Sequence, residues 1–251
     1  MGGEMRTPTC CTRFRENAIS KHFRDMTKLR HISFSRGSIP PLSKEDGLRM
    51  AAFDFSTDAI SSFLTAAVRK AKIEVGAPVN ALIVSPQNSW PDGDELRVRG
   101  RNLCVSGRVD WDLYDKSRDN EAAFGEHICA VFRQAAVNLK PEYGSLAQQL
   151  DGWIGAFKQA GYRHVWRPAR KVSRKRGIKA ELICHLDFQA FKLILKVQRH
   201  GTVIFDDVIL TTDTNPHFYY YEFKALELEE DALSVTTRHL DDKSPLFRLP
   251  L

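Results

Sequence analysis

Between Ile178 and Thr212 apolar side chains recur at every second position over two long runs, and no helix can place such a pattern on one side. Leu182, Cys184, Leu186 and Phe188 share one face of the first run. In the second, Phe191, Leu193, Leu195 and Val197 alternate with Lys192, Ile194, Lys196 and Gln198. His200-Gly201 then supplies a two-residue hairpin turn, with glycine accepting positive φ. Pairing Arg199 with Thr202 sets Val197 opposite Ile204, Leu195 opposite Asp206, Leu193 opposite Val208 and Phe191 opposite Leu210. That register predicts an apolar face with one intruder, Asp206.

The run Thr212-Asp213-Thr214-Asn215-Pro216 breaks the pattern, because Asp and Asn favour turns and Pro cannot donate to a ladder. A further strand is expected from His217 to Lys224, returning beside the last one. Asp207 then faces Glu222, with Lys224 one diagonal step away; a loop one residue longer or shorter substitutes Asp206. Two acids and a lysine so placed can hold a divalent cation through carboxylate oxygens and offset developing charge. In residue type this acid…Glu-x-Lys set resembles the core of the PD-(D/E)xK nucleases. The resemblance implies a metal-dependent nuclease with Asp206, Asp207, Glu222 and Lys224 as catalytic residues. Mg²⁺ is the only cofactor expected, and only on this reading. The match spans roughly twenty of 251 residues, and the 27 residues after Lys224 lack the helical pattern that packs beside that core in the family. The same side chains also read as a solvated ladder of paired charges worth roughly 0.2–1 kcal/mol per pair.

A second candidate is the stretch from Arg163 to Lys179, which contains Arg167, Arg170, Lys171, Arg174, Lys175 and Arg176 and no acid between Asp151 and Glu181. Tyr162, His164 and Trp166 alternate with these cations, so a strand here places aromatics on one side and guanidiniums on the other. Such a surface suits phosphate contacts, with Trp166 available for stacking if exposed. Alternatively the aromatic side faces the core and the tip Ser173-Arg174-Lys175-Arg176-Gly177 is merely solvated.

Elsewhere, Ile60, Phe63, Leu64, Ala67 and Val68 predict a helix capped at Ser56 or Thr57. Short strands are expected at 81–84, 96–99 and 104–113, the last with Asp110 and Asp112 on a wet face, and a loop carries Trp90 as a candidate anchor. Two amphipathic helices follow, one with the stripe Phe124, Ile128, Val131, Phe132, Ala135 and Leu139, the other with Leu146, Leu150, Trp153, Ile154 and Phe157. A Pro-Glu-Tyr-Gly turn joins them into an antiparallel hairpin. A final strand is expected from Leu233 to His239. The tail 244–251 is apolar enough to dock on its own domain or on a partner.

Strand runs separated by helix runs indicate an α+β protein, a mainly antiparallel sheet of about eight strands covered by three helices. Residues 1–49 have few periodic apolar positions and read as a disordered basic leader or an over-extended start before Met50. Residues 50–251 read as one α+β domain, with 50–160 and 161–251 as candidate sub-lobes. The net charge is +6, and residues 1–49 hold ten Lys/Arg against five acids, leaving 27 against 26 beyond them. Five scattered cysteines show no metal-ligand spacing and fit reduced thiols packed in a core. No apolar run reaches the length of a membrane span, so no membrane partner and a cytoplasmic location are expected. No Gly-rich phosphate loop, HExxH or nucleophile turn is present.

The leading expectation is an intracellular non-catalytic binding protein. It would recognise a protein or nucleic-acid partner through the sheet surface around Tyr220 and the basic segment, since Tyr, Trp and Arg are enriched at interfaces. The alternatives are the metal-dependent nuclease and nucleic-acid binding without cleavage.

Overall fold

The structure is a computed structural model that describes residues 26–35, 43–76, 78–86, 95–215, 219, 222–238 and 244–251. In chain order the elements are β1 (Met26–Lys28), β2 (His31–Phe34), α1 (Lys44–Ser56), α2 (Asp58–Ala71), β3 (Glu74–Gly76), β4 (Ala81–Pro86), β5 (Leu96–Arg99) and β6 (Asn102–Gly107). They continue as α3 (Trp111–Ser117), α4 (Glu121–Gln159), β7 (His164–Ser173), β8 (Ile178–Leu186), β9 (Phe191–Arg199), β10 (Thr202–Thr212), β11 (Ala225–Leu228), β12 (Ala232–Thr236) and β13 (Phe247–Pro250). The α+β class holds, with most strand pairs antiparallel, but the strands are divided among four sheets rather than gathered into one.

The first half is built on a sheet of order β2-β4-β6-β5, in which β2, β4 and β6 run parallel and β5 is antiparallel. Ile32, Leu82, Val84, Leu103 and Val105, which share one face, are sealed; on the other face Ser85, Cys104 and Ser106 are buried while His31 is exposed. The outer parallel strand lies inside the expected leader. Leu29, Ile32 and Phe34 are core residues, and α1 also begins before Met50, so the domain starts well upstream of the expected boundary at residue 50. These short elements have too few apolar positions to show a period; tertiary pairing with β4 makes them strand.

The strand expected over 104–113 ends at Gly107, where a Cβ would sit 2.8 Å from the Val131 side chain, so β6 and α4 approach at a distance only glycine permits. Asp110 caps α3 instead, its Oδ1 accepting from the Leu113 N–H at 3.0 Å. Asp110 and Asp112 therefore serve a helix start, not a wet strand.

α4 carries both predicted stripes. Its backbone departs from helical geometry at Tyr143 (φ −130°, ψ 47°), and the two arms fold back on each other. Arg133 on the first arm meets Asp151 on the second at 3.6 Å, and Lys158 meets Glu126 at 2.5 Å, separations possible only in an antiparallel hairpin. Phe124, Ile128, Phe132, Leu139, Leu150, Ile154 and Phe157 are all buried. Gly161 and Tyr162, both at positive φ, end the hairpin, and the Tyr162 N–H reaches back to the Phe157 carbonyl at 3.0 Å. That reversal launches β7.

β7–β10 form the second large sheet, of order β10-β9-β8-β7. Its inner face is the alternation seen in sequence. Leu182, Cys184, Leu186, Phe191, Leu193, Leu195 and Val197 are each fully excluded from solvent. Phe188, in the β8–β9 turn, packs edge-on against Phe124 and Phe157 of α4. The remaining strands form two small sheets, β1-β3 and β11-β12-β13. The tail docks on its own domain as β13, paired with β12. No helix among the described residues is long and apolar enough to cross a membrane.

Candidate binding surface on the four-stranded sheet

Two bulges decide what the outer face of the β7–β10 sheet displays. The pairing starts as expected, with Arg199 opposite Thr202, and then slips once between Val203 and Phe205 and again between Val208 and Leu210. The first slip moves Asp206 from the apolar face to a position opposite Lys196, whose ammonium it accepts at 2.6 Å. The intruder on the apolar side is then Asp207 rather than Asp206, and it is exposed on the edge strand. Asp207 falls opposite Leu195, so the adjacent acids point to opposite faces. A bulge absorbs a residue without a compositional mark, and either register leaves one acid on the apolar side, so the sequence carried no sign of it.

The strand expected from His217 to Lys224 is not formed among the described residues. Tyr219 is helical, Glu222 lies in a turn and Lys224 precedes β11, which belongs to another sheet. Asp213 Oδ1 accepts from the Asn215 N–H at 3.2 Å, and the buried Thr214 hydroxyl donates to the Phe55 carbonyl at 3.3 Å, turning the chain toward the end of α1. Tyr219 then stacks on Phe191 at 4.2 Å, and Phe223 lies parallel to the same ring. β10 is left as the sheet edge. Asp206, Asp207, Glu222 and Lys224 therefore do not share a strand pair among the described residues, and the strand pairing on which the nuclease resemblance depended is not formed there. Among the described residues no three His, Cys, Asp or Glu side chains gather as a metal-holding group. Tyr220 and Trp90 lie outside the described residues.

In the basic segment the aromatics take the core side. His164 stacks on Trp166 at 4.5 Å, and Trp166 leans on Phe191. The indole is half-buried and is not a platform for a base. His164 Nδ1 meets the Ser62 hydroxyl at 2.9 Å, and burial pulls its pKa down to about 4.

Arg167, Arg170, Lys179, Lys192 and Lys196 line the other side, while Lys171, opposite Ala180, has the core side's parity and is exposed on the edge strand. Antiparallel partners share a face, so the registers place Arg170, Glu181, Lys196 and Asp206 in one row across the four strands. The next row holds Ile183, Ile194 and Val208, and the row on the opposite flank runs Val172, Lys179, Gln198 and Val203. Glu181 is the buried centre. Its carboxylate is only 8% exposed and meets Arg167 at 3.4 Å, Arg170 at 3.6 Å and Lys179 at 3.4 Å. Val165, Val172, Val203, Ile204 and Val208 are large aliphatics left exposed on this sheet. Burial lowers the pKa of His185 on the outer face, so it adds no charge at neutral pH.

The two hairpin tips meet at one end. The His200 N–H donates to the Gly177 carbonyl at 2.8 Å, and a Cβ on Gly177 would lie 2.3 Å from the His200 ring. Arg174, Lys175 and Arg176 are thereby brought beside Arg199 of the neighbouring hairpin. Arg176 donates to the Glu229 carbonyl, whereas Lys171, Arg174 and Lys175 are exposed. Residues 164–212 hold ten Lys/Arg against four carboxylates, an excess equal to the net +6 of the entire chain. Sequence reasoning did not join Lys192, Lys196 and Arg199 to the basic segment, because only the register does so.

Comparison with protein-family models, with curated proteins and with solved structures found no match for the chain. Its function has to be read from the surface itself.

Proposed function

We propose that the protein is a non-catalytic binding protein that holds an acidic protein partner against the outer face and basic tip of the β7–β10 sheet. The observation that carries this is the coincidence of the chain's whole charge excess with a half-open sheet face that exposes aliphatic rows. A strong local positive field steers acidic partners, and exposed valines and isoleucines supply area whose burial stabilises a complex by roughly 25 cal/mol per Å². Two features favour protein over nucleic acid. The face carries a central Glu181 and a rim Asp206 within the cation rows, and His164 and Trp166 are turned to the core, leaving no stacking platform on this face among the described residues.

The test is affinity capture from extract, with and without nuclease treatment, using the parent chain and two variants, Lys175→Glu with Arg199→Glu at the tip, and Val208→Arg on the face. The expected result is an acidic protein retained by the parent, released as salt is raised, and reduced at least tenfold by each variant. Identical recovery with all three chains would contradict the reading. Retained material that vanishes on nuclease treatment would replace it with nucleic-acid binding.

A further inference from the structure

At the far end of α2 from its N-terminus the described residues form a second, smaller feature. A depression of about 360 Å³ is lined by Lys28, Leu29, Arg30, Arg69 and Lys72, so four of its five residues are cationic and none is acidic. Two separate segments build it. Lys28 and Arg30 come from β1 and its connection to β2, which is fixed in place by the Leu29 N–H donating to the Ile73 carbonyl and the Arg30 N–H donating to the Asn80 carbonyl, each at 2.8 Å. Arg69 comes from the last turn of α2, and Lys72 is the residue that caps it.

The guanidinium is already oriented. Arg69 Nε donates to the Arg30 carbonyl at 2.9 Å, which joins the two segments and leaves the terminal N–H groups of the fork without a partner among the described residues. Leu29, 1% exposed, is the apolar floor. Glu74 stands opposite Lys28 in the β1–β3 ladder but does not line the depression.

The favourable placement of cations at a helix C-terminus accounts for Arg69 and Lys72. It does not account for Lys28 and Arg30, which lie on other elements and bring like charges to the same place. Uncompensated like charge is unfavourable, and a bound anion relieves it. A single carboxylate would leave most of the charge unmatched. A guanidinium fork with several ammonium point charges fits a polyvalent tetrahedral oxyanion. We propose that this depression is a binding site for a phosphate-bearing anion carrying two or more charges, held by Arg69 through its free fork and by Lys28, Arg30 and Lys72 through charge. The site is separate from the β7–β10 surface and does not depend on that surface having a partner.

Calorimetric titration of the full chain with sodium pyrophosphate at low ionic strength tests it. A saturable one-to-one isotherm is expected, weakened at least tenfold by Arg69→Gln and severalfold by Arg30→Gln, with thermal unfolding of both variants in the parent range. The tip pair Lys175→Glu with Arg199→Glu should leave the titration unchanged, which separates this site from the sheet surface. Adenosine triphosphate and a short DNA oligonucleotide, added as competitors, distinguish a small phosphorylated molecule from a nucleic-acid backbone as the source of the phosphate. No saturable heat with pyrophosphate, or equal affinity for Arg69→Gln and parent, would overturn the proposal.

Discussion

Asp58 and His164 make opposite contributions to stability across nearly the same pH range. Asp58 opens α2, and burial, with Asp54 and Asp213 beside it, raises its pKa from 3.8 to about 7. The folded state therefore holds a proton that the unfolded chain releases, so the contribution is full below about pH 4 and is lost as pH rises to 7. Burial lowers the pKa of His164 from 6.5 to about 4, so its contribution is full above 6.5 and is lost as pH falls. Asp58→Asn should stabilise the protein at pH 8 by on the order of 2 kcal/mol and change little at pH 4. His164→Gln should flatten the loss of stability between pH 6.5 and 4. Urea unfolding midpoints at pH 4, 6 and 8 check both; an Asp58→Asn variant no more stable than the parent at pH 8 would refute the first. Neither shift was legible in the sequence. In the sequence Asp58 merely follows the candidate caps Ser56 and Thr57, and His164 is one of three alternating aromatics; the burial that shifts each depends on tertiary packing.

At the level of elements, period-two and period-3.6 patterns were readable wherever one face is buried and the other wet. β8, β9 and both arms of α4 follow the expected faces residue by residue. What failed were features that leave no period. The slips in β10 each hide a single residue, the turn at Asp213-Thr214 leads toward α1 ahead of the strand expected from His217 to Lys224, and β2 is defined by its neighbour β4. The join between the hairpin tips is another such feature, and it has a direct test. Gly177→Ala must accept a φ of +62° and a clash with the His200 ring, so it should cost about 2 kcal/mol. Gly201→Ala, at φ +86° with open space around it, should cost less. Adding His200→Ala to Gly177→Ala removes the clash but not the backbone strain, and the double variant should recover part of the loss in denaturant unfolding. Equal stability of Gly177→Ala with and without the histidine would mean that the tips are not joined.

For the whole molecule, charge counted along the chain misleads. The division at residue 49 assigns five of the six excess positive charges to the first segment and leaves the rest close to neutral. Grouped by sheet, residues 164–212 account for the entire net +6, because acids clustered in the other elements cancel the cations of the first segment. The candidate residues from Arg167 to Arg176 were visible as a run, but their neighbours across the sheet were not, and the aromatic half of the expected surface turned inward to fill the core. The fold thus keeps its rings for packing and shows solvent a face of aliphatics and cations. Zero-length carbodiimide cross-linking of the captured complex tests this account most directly, because it joins lysine amines only to carboxylates in contact. The account predicts links from Lys171, Lys175, Lys192 or Lys196 to aspartates and glutamates of the partner. Links confined to lysines outside the β7–β10 sheet, such as Lys116 or Lys140, would contradict it.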